Sequence, residues 1–428
     1  MTVPEDNELL TRVGPGTPMG RLMREYWMPA ALSSELVADG PPLRLMLLGE
    51  KLIAFRDSAG RVGVMDHRCP HRCASLFYGR NEQGGLRCVY HGWKFDVAGK
   101  CLEMPNVPAH QSFADKVAAK AYRAVERNGL VWAYLGSRVE APPLPALEPA
   151  MVAEADLEIE FVQRDCNWLQ GVEGELDTSH IGFLHFGAVR GETIDAGILN
   201  KFAMVNRAPD HLAQETGYGA IYAAHRPAEA GSTYWRFGQF LFPIWTMPPI
   251  APLPENVFAR GYVPMDDEHT MIVQLARRGV YRREQTANIV GASRSRHFLP
   301  NTTDWFGRWR LTGNRGNDHL IDRAVQRRES FTGIEGVQMQ DQAVQEGMGA
   351  IVDRSLEHLA PSDMMVARVR RLLLRAVRAL DESGALPPAA ADPACQSGVR
   401  GGHFLAPEGV DWLAAYAAEL AAPPAAAE

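Results

Sequence analysis

The pattern of apolar and polar positions divides the chain into three stretches of different texture. In residues 1–40, "MGRLMREYWMPAAL" repeats apolar residues at helical intervals and predicts a helical segment. From Leu43 to Gly136 the apolar positions come in short runs, "LRLMLLG", "KLIAFRD", "RVGVMD" and "GLVWAYLG". Glycine-containing turns such as "DSAGR" and "NEQGG" separate several of them, the pattern of a small antiparallel β domain. The proline-rich "SRVEAPPLPALEP" (Ser137 to Pro149) reads as a semi-rigid linker, closing a unit over residues 41–150. Residues 151–428 mix strands ("YWRFGQFLFPIW", "HTMIVQLARR") with an amphipathic helix, "DMMVARVRRLLLRAVRAL". Ser362 is its expected N-cap, and its arginines are expected to form a solvated face. "LPPAAADPA" reads as a linker and "AAPPAAAE" as a frayed terminus. The whole is expected to be an α+β fold, with the last region built on an antiparallel sheet flanked by helices.

Composition narrows the function classes. The 428 residues can bury a large core, and a formal net charge of −7 argues against a nucleic-acid partner, which needs a basic face. Six cysteines do not make a disulfide scaffold in a chain this long; Cys73, Cys101, Cys166 and Cys395 show no pairing pattern, so a reducing compartment is expected. The opening "MTVPEDNELL" lacks the basic and apolar segments of a secretory signal. The longest apolar stretch, Phe240 to Pro254, carries five prolines and cannot be a membrane helix. The expectation is a soluble cytoplasmic protein with no membrane partner.

Chemistry concentrates first in "CPHRCASLFYGRNEQGGLRCVYHGW". Cys69 and His71 form Cys-x-His, Cys88 and His91 form Cys-x-x-His, and sixteen residues separate the pairs. Two turns, each offering one thiolate and one imidazole, make a four-ligand site. A tetrahedral zinc accepts such a set, though zinc sites usually pair Cys with Cys and His with His in sequence. A Rieske [2Fe–2S] cluster takes two thiolates on one iron and two imidazoles on the other, as two loops straddling it would supply. The motifs "CPHRCASL" and "CVYHGWKFD" resemble the Rieske domain of bacterial Rieske non-haem iron oxygenases. Respiratory Rieske proteins, with an extra disulfide-bonded cysteine in each loop, are a poorer match: Cys73 meets only Val89 and Tyr90 in the second loop.

Downstream, "NWLQGVEGELDTSHIGFLH" places Glu173, Asp177 and His180 at i, i+4 and i+7, so that a helix would line them on one face. His185 follows five residues after His180, and Gly182 between them could relax the backbone so that both imidazoles converge. Two histidines with a distant carboxylate form the facial triad that leaves positions open on Fe(II). The segment resembles the mononuclear iron motif of the phthalate dioxygenase-like branch of these oxygenases, and the likeness runs from "NELLTRVGPGTPMGRLMREYW" to "GAIVDRSLEHLAPSD". By that resemblance Asp177 would bridge the two centres, bonding His180 and, across a subunit boundary, His91. Asp341 in "GIEGVQMQDQAVQEGMG" resembles the final iron ligand, with Glu335 and Glu346 as nearby competitors.

The resemblance implies the following. Residues 41–150 would be the Rieske domain and linker, 151–428 the catalytic domain, and 1–40 a helical segment packed on the latter. The protein would be a terminal oxygenase, taking electrons from NAD(P)H through a separate reductase, with or without a ferredoxin. It would use O₂ to oxidise a small aromatic substrate, and would assemble as a homotrimer or stacked trimers. Arg226 and Arg236 are candidate contacts for a substrate carboxylate. Trp235, Phe237, Phe240, Phe242 and Trp245 could line a pocket or fill the core. Asp210, standing in "NRAPDHL" where phthalate-binding relatives are expected to carry arginine, puts phthalate in doubt. On that ground the expected reaction is O-demethylation of a methoxylated lignin-derived acid or ring hydroxylation; the alternatives are phthalate-type cis-dihydroxylation and, more distantly, a pure Rieske electron carrier.

Overall fold

The structure, a computed structural model, describes residues 2–187, 201–229, 231–280 and 296–422. From residue 423 on, the expected frayed terminus lies outside them.

Among the described residues the strands form three sheets. Six antiparallel strands make the first, in the order Trp27–Leu32, Leu130–Tyr134, Ala121–Arg127, Val62–Asp66, Glu50–Arg56, Leu43–Leu47. The second is a small four-stranded meander, Arg80–Glu82, Gly85–Arg87, Lys94–Phe95 and Cys101–Glu103, which sits over the first and closes a separate core of Ile53, Phe55, Met65, Leu76, Leu86 and Phe95. One expectation fails here. "WMPAAL" does not continue the preceding helix, which ends at Met23; it is a strand paired with Leu130–Tyr134. Five of six consecutive positions are buried, so neither period marks the segment, and pairing with a remote strand decides it.

The third sheet is antiparallel, in the order Leu157–Arg164, Thr270–Arg277, Phe258–Pro264, Trp245–Met247, Ser232–Leu241, Gly219–Pro227, Asp210–Thr216, with Gly402–Pro407 also paired to Ser232–Leu241. This α+β architecture is the one expected. The aromatic run is core rather than pocket. Trp235 and Phe237 pack under the helix Trp412–Leu420, Phe237 stacking on Phe404 and Trp412, while Phe240, Phe242 and Trp245 lie in the main core.

The helix Trp168–Leu176 crosses this sheet, and polar groups lock its position. Asn167 is fully buried: its side-chain oxygen caps the helix at Leu169, and its amide donates to the carbonyls of Thr11 and Asp267. Glu173 accepts from Arg354 at 2.9 Å and from Arg370 at 2.6 Å, and Arg354 also donates to Asn7 at 2.9 Å. Arg370 therefore faces inward from the helix Met364–Ser383, whose arginines are not all solvated. That helix starts at Met364 after a short 3₁₀ turn, with Asp363 at the N-cap position, one residue beyond the expected Ser362. "LPPAAADPA" is docked rather than free: Ala390 is buried, and the carbonyls of Pro388 and Ala390 accept from Tyr26 and Arg138.

Burial alone would raise the Glu173 pKa, but the two guanidiniums outweigh it and hold it below 4.5. A depressed carboxylate contributes stability that is present above its unfolded pKa and lost as pH falls through the folded one. Glu173→Gln is therefore expected to cost about 3 kcal/mol at pH 7, by leaving buried Arg354 without a carboxylate while Arg370 keeps only Glu357. Urea unfolding at pH 7 and near pH 3.5 should show that deficit shrinking on the acid side; an equal deficit at both would contradict the pairing.

Candidate active site

The segment expected to run as one helix through His180 is two elements. The helix Trp168–Leu176 stops at Asp177, whose backbone is extended (φ −79°, ψ 107°), and a 3₁₀ turn, His180–Gly182, follows. Asp177, Thr178 and Ser179 all have short polar side chains that compete for local backbone groups, and Asp177 accepts from the Ser179 N–H at 2.7 Å. The shared helical face of Glu173, Asp177 and His180 therefore does not form. Nor does Gly182 take a left-handed conformation; a Cβ there would meet the Arg207 side chain at 3.0 Å, so glycine serves close approach.

The break brings the two imidazoles together, with Nε2 of His180 and His185 3.1 Å apart and their rings nearly perpendicular. Asp341, on the helix Val337–Gly347, puts Oδ1 3.4 Å from His185 Nε2 and 3.7 Å from His180 Nε2. Asp177 Oδ2 stands 3.5 Å behind His180 Nδ1, and Gln340 Oε1 2.7 Å behind His185 Nδ1. The competing carboxylates are elsewhere: Glu335 is exposed, and Glu346 is buried against His319 Nε2 at 2.9 Å. Among the described residues, His180, His185 and Asp341 are the group of potential ligands whose donor atoms all lie within 4.8 Å of one another. Three donors of N, N, O type suit a non-haem Fe(II).

Electrostatics agree. Burial would lower the His180 pKa, but the hydrogen bond and charge of Asp177, with Asp341 beside it, push it up to about 9. Burial likewise opposes ionisation of Asp341, yet the two histidines hold its carboxyl far below the usual range. The cluster is built to hold positive charge.

The Cys/His loops lie at one end of the small meander. Cys69 and Cys88 are buried, and His71 and His91 half-buried, their rings 4.4 Å apart with His71 stacked on Trp93. Each loop closes on itself: Cys73 N–H donates to the Cys69 carbonyl and Gly92 N–H to the Cys88 carbonyl. Burial, with Cys88 alongside, raises the Cys69 pKa to about 11, while the backbone N–H groups of His71 and Arg72 pull it back. His91 Nδ1 is buried without a hydrogen-bond partner, an orphan that a metal bond would satisfy.

Behind the iron-type site, sheet register sorts the remaining candidates. Arg226 pairs with Tyr234, Ala224 with Arg236 and His211, and Arg236 with His403. Alternation therefore puts Arg226, Tyr234, Arg236, His211 and His403 on one face, and Asp210 with His225 on the other. Asp210 is exposed, on the face of the sheet away from the arginines. Arg236 donates to Thr178 at 3.0 Å, tying this face to the Asp177–His180 segment. Arg226 is 2% exposed, and its Nε and Nη1 have no hydrogen-bond partner. Burial, with Arg236 nearby, lowers its pKa to about 10; burial and Arg236 lower that of His403 to about 3. Gln340, His211 and His403 were missed by sequence reasoning. Gln340 adjoins a proposed ligand, but nothing in its neighbours marks its partner 155 positions away.

Comparison with known proteins now bears on identity. A family profile described as LigXa C-terminal domain like matches residues 133–424, and one described as Rieske [2Fe-2S] domain matches residues 26–114. The chain is 48% identical to the 3-chlorobenzoate-3,4-dioxygenase oxygenase subunit of Comamonas testosteroni, over 97% of this chain and 98% of that one. It is 37% identical to the phthalate 4,5-dioxygenase oxygenase subunit of Pseudomonas putida, over 96% and 94%. With the 5,5'-dehydrodivanillate O-demethylase oxygenase subunit of Sphingobium sp. (strain NBRC 103272 / SYK-6) it shares 38% identity over 63% and 61%. The crystal structure of dicamba monooxygenase bound to dicamba shares the fold, with a TM-score of 0.57 at 18% identity, covering 84% of this chain and 98% of that one. The chain belongs to the Rieske non-haem iron oxygenases, as a terminal oxygenase that works with a Rieske [2Fe–2S] cluster and a mononuclear iron.

Proposed function

We propose that this oxygenase hydroxylates the ring of an aromatic acid with a single carboxylate, and that Arg226 anchors that carboxylate. The observation that carries the substrate class is the buried guanidinium with two unsatisfied N–H groups. An uncompensated buried cation costs several kcal/mol, and a bidentate carboxylate would satisfy both its charge and its donors. Ring hydroxylation is favoured over O-demethylation because the similarity to the 3-chlorobenzoate enzyme spans the whole chain, whereas that to the O-demethylase spans under two thirds of it. The argument from Asp210 for a methoxylated substrate lapses, since its side chain lies on the other face of the sheet.

In this reading Cys69, His71, Cys88 and His91 hold the cluster, and His180, His185 and Asp341 hold the iron. Iron bound there supplies the dioxygen activation, and the cluster the single electrons, which a separate NAD(P)H-dependent reductase provides with or without a ferredoxin. Asp177 keeps His180 oriented and its Nδ1 proton held. Arg226 and, behind it, the Arg236–Thr178 contact set the distance between the substrate carboxylate and the iron ligands. Residues 41–150 would form the electron-accepting unit and 151–428 the catalytic one, with the strand Trp27–Leu32 of the first 40 residues joined to the former.

A trimeric ring belongs to the same proposal. Val89 and Tyr90 beside His91 are exposed, as are Phe183 and Phe331 beside the His180 turn. A head-to-tail contact would cover both patches and set His91 of one subunit near Asp177 of the next.

With a surrogate reductase, 3-chlorobenzoate and related monocarboxylates are expected to yield dihydroxylated ring products in step with O₂ uptake. Formaldehyde from methoxylated acids, with no diol from any benzoate, would replace this reading with O-demethylation. Arg226→Met should lower kcat/KM for a carboxylated substrate by about 100-fold, in line with loss of a charge-assisted pair. It should also raise the unfolding midpoint, because a buried unpaired charge is removed; a lower midpoint would show that the guanidinium is structural. Asp177→Asn should keep the cluster absorption and bound iron yet lower turnover by at least about 10-fold, read by single-turnover oxidation of the reduced cluster.

A further inference from the structure

We propose that Gln340 is the positioning residue that fixes His185 as a metal ligand through Nε2, an inference that rests on reading His180, His185 and Asp341 as the iron ligands. Gln340 is 1% exposed, and its amide is oriented from behind. The Ile334 carbonyl, 2.9 Å from Nε2, can only accept, so the NH₂ end must face it. That leaves Oε1 toward His185 Nδ1 at 2.7 Å, and an amide oxygen also can only accept. His185 Nδ1 therefore carries the hydrogen. In the neutral ring the lone pair is then on Nε2, the atom 3.1 Å from His180 Nε2 and 3.4 Å from Asp341 Oδ1. In the other tautomer, two lone pairs would oppose each other at Nδ1, and an N–H would occupy the ligand position.

The local backbone is shaped for this contact. Gly333 and Gly336 both take positive φ, 72° and 86°, so the chain doubles back before the helix Val337–Gly347 and brings the Ile334 carbonyl under Gln340. The helix is held at its far end by His319 on Glu346 and by Gln170 donating to the Gln345 carbonyl at 2.9 Å. Consecutive residues of one rigid helix thus supply both the proposed carboxylate ligand and the brace of the neighbouring imidazole. The two imidazoles are braced differently, His180 by a carboxylate and His185 by a neutral amide.

The test uses the cluster-bearing protein stripped of mononuclear metal by a chelator and titrated anaerobically with Co(II), followed by its visible spectrum and by chelator competition. Gln340→Met, similar in volume but without the acceptor, is expected to bind Co(II) about 10–100-fold more weakly with unchanged cluster absorption. Gln340→Glu keeps an acceptor at the same reach and, as the carboxylic acid, a donor for the Ile334 carbonyl, and at a pH low enough to protonate it should restore binding to within a few-fold of wild type at that pH. Wild-type affinity in Gln340→Met, or equal weakening in both variants, would overturn the proposal, because then packing rather than the acceptor matters. Should Gln340→Met not fold, Gln340→Asn, which retracts the same amide by one methylene, carries the same expectation. His185→Ala separates the two levels: undiminished Co(II) binding there would sink the ligand reading itself. Lost binding there with wild-type binding in Gln340→Met would sink only the role of Gln340.

Discussion

The end of the molecule around His180 is governed by one electrostatic constraint: two half-buried carboxylates are packed against two imidazoles, one of them buried, and the group is stable only around positive charge. The neighbouring acids have been neutralised separately. Glu173 has Arg354 and Arg370, Glu175 has Arg260 and the Tyr262 hydroxyl, and Glu346 has His319. Asp177 and Asp341 lean chiefly on His180 and His185, with the Ser179 N–H on Asp177 and the more distant charge of Arg164 acting on Asp341. In the metal-free protein a proton on His180 partly meets the demand, which is why its pKa rises to about 9 while Asp341 stays ionised. A divalent cation would meet it more fully, and the surrounding pairs would not compete for it.

The same constraint explains why the helix Trp168–Leu176 ends where it does. Continued through His180, it would have set Glu173, Asp177 and His180 on one stripe and left His185 on another face. Breaking it at Asp177 frees the two histidines to converge from a single short segment. Holding such a broken segment in place requires fixed walls, and these are polar: Asn167 caps the helix and joins it to Thr11 and Asp267, and Arg236 reaches Thr178 from the sheet. The N-terminal residues serve this end of the molecule through Asn7 and Thr11, although the strand Trp27–Leu32 joins the other sheet system.

The chemistry was legible in sequence wherever ligands cluster along the chain. Cys69, His71, Cys88 and His91 occupy two tight loops, so spacing alone suggested a shared site, and likewise for His180 and His185. The layout of the β-rich region was readable too, because half-buried strands alternate and their turns carry glycine. Legibility ended where contacts are remote or period is ambiguous. "WMPAAL" is buried on nearly every residue and could not be told from helix. The Ala/Pro segment near Ala390 looked like linker because alanine and proline carry no sign of docking; its contacts come through backbone carbonyls, which sequence does not display. Asp210 was weighed as a pocket residue because of its neighbours in sequence, whereas alternation on a strand turns it to the opposite face from His211.

The buried cations of the third sheet complete the electrostatic picture. Arg226, Arg236 and His403 share the face that meets the Asp177–His180 segment, so a cationic group of residues stands beside an anionic one. His403 adds little charge to that cationic group, since burial beside Arg236 lowers its pKa to about 3. Arg236 is engaged by Thr178 and Tyr234, which leaves Arg226 with the unmet donors. A substrate that enters such a field is oriented before it is held. In the proposed reading its single anionic group is drawn to the arginine side, its ring falls toward the metal side, and a second anion near the iron would be repelled by Asp177 and Asp341. On that reading, selectivity for one carboxylate follows from the same two aspartates that the proposal sets around the iron.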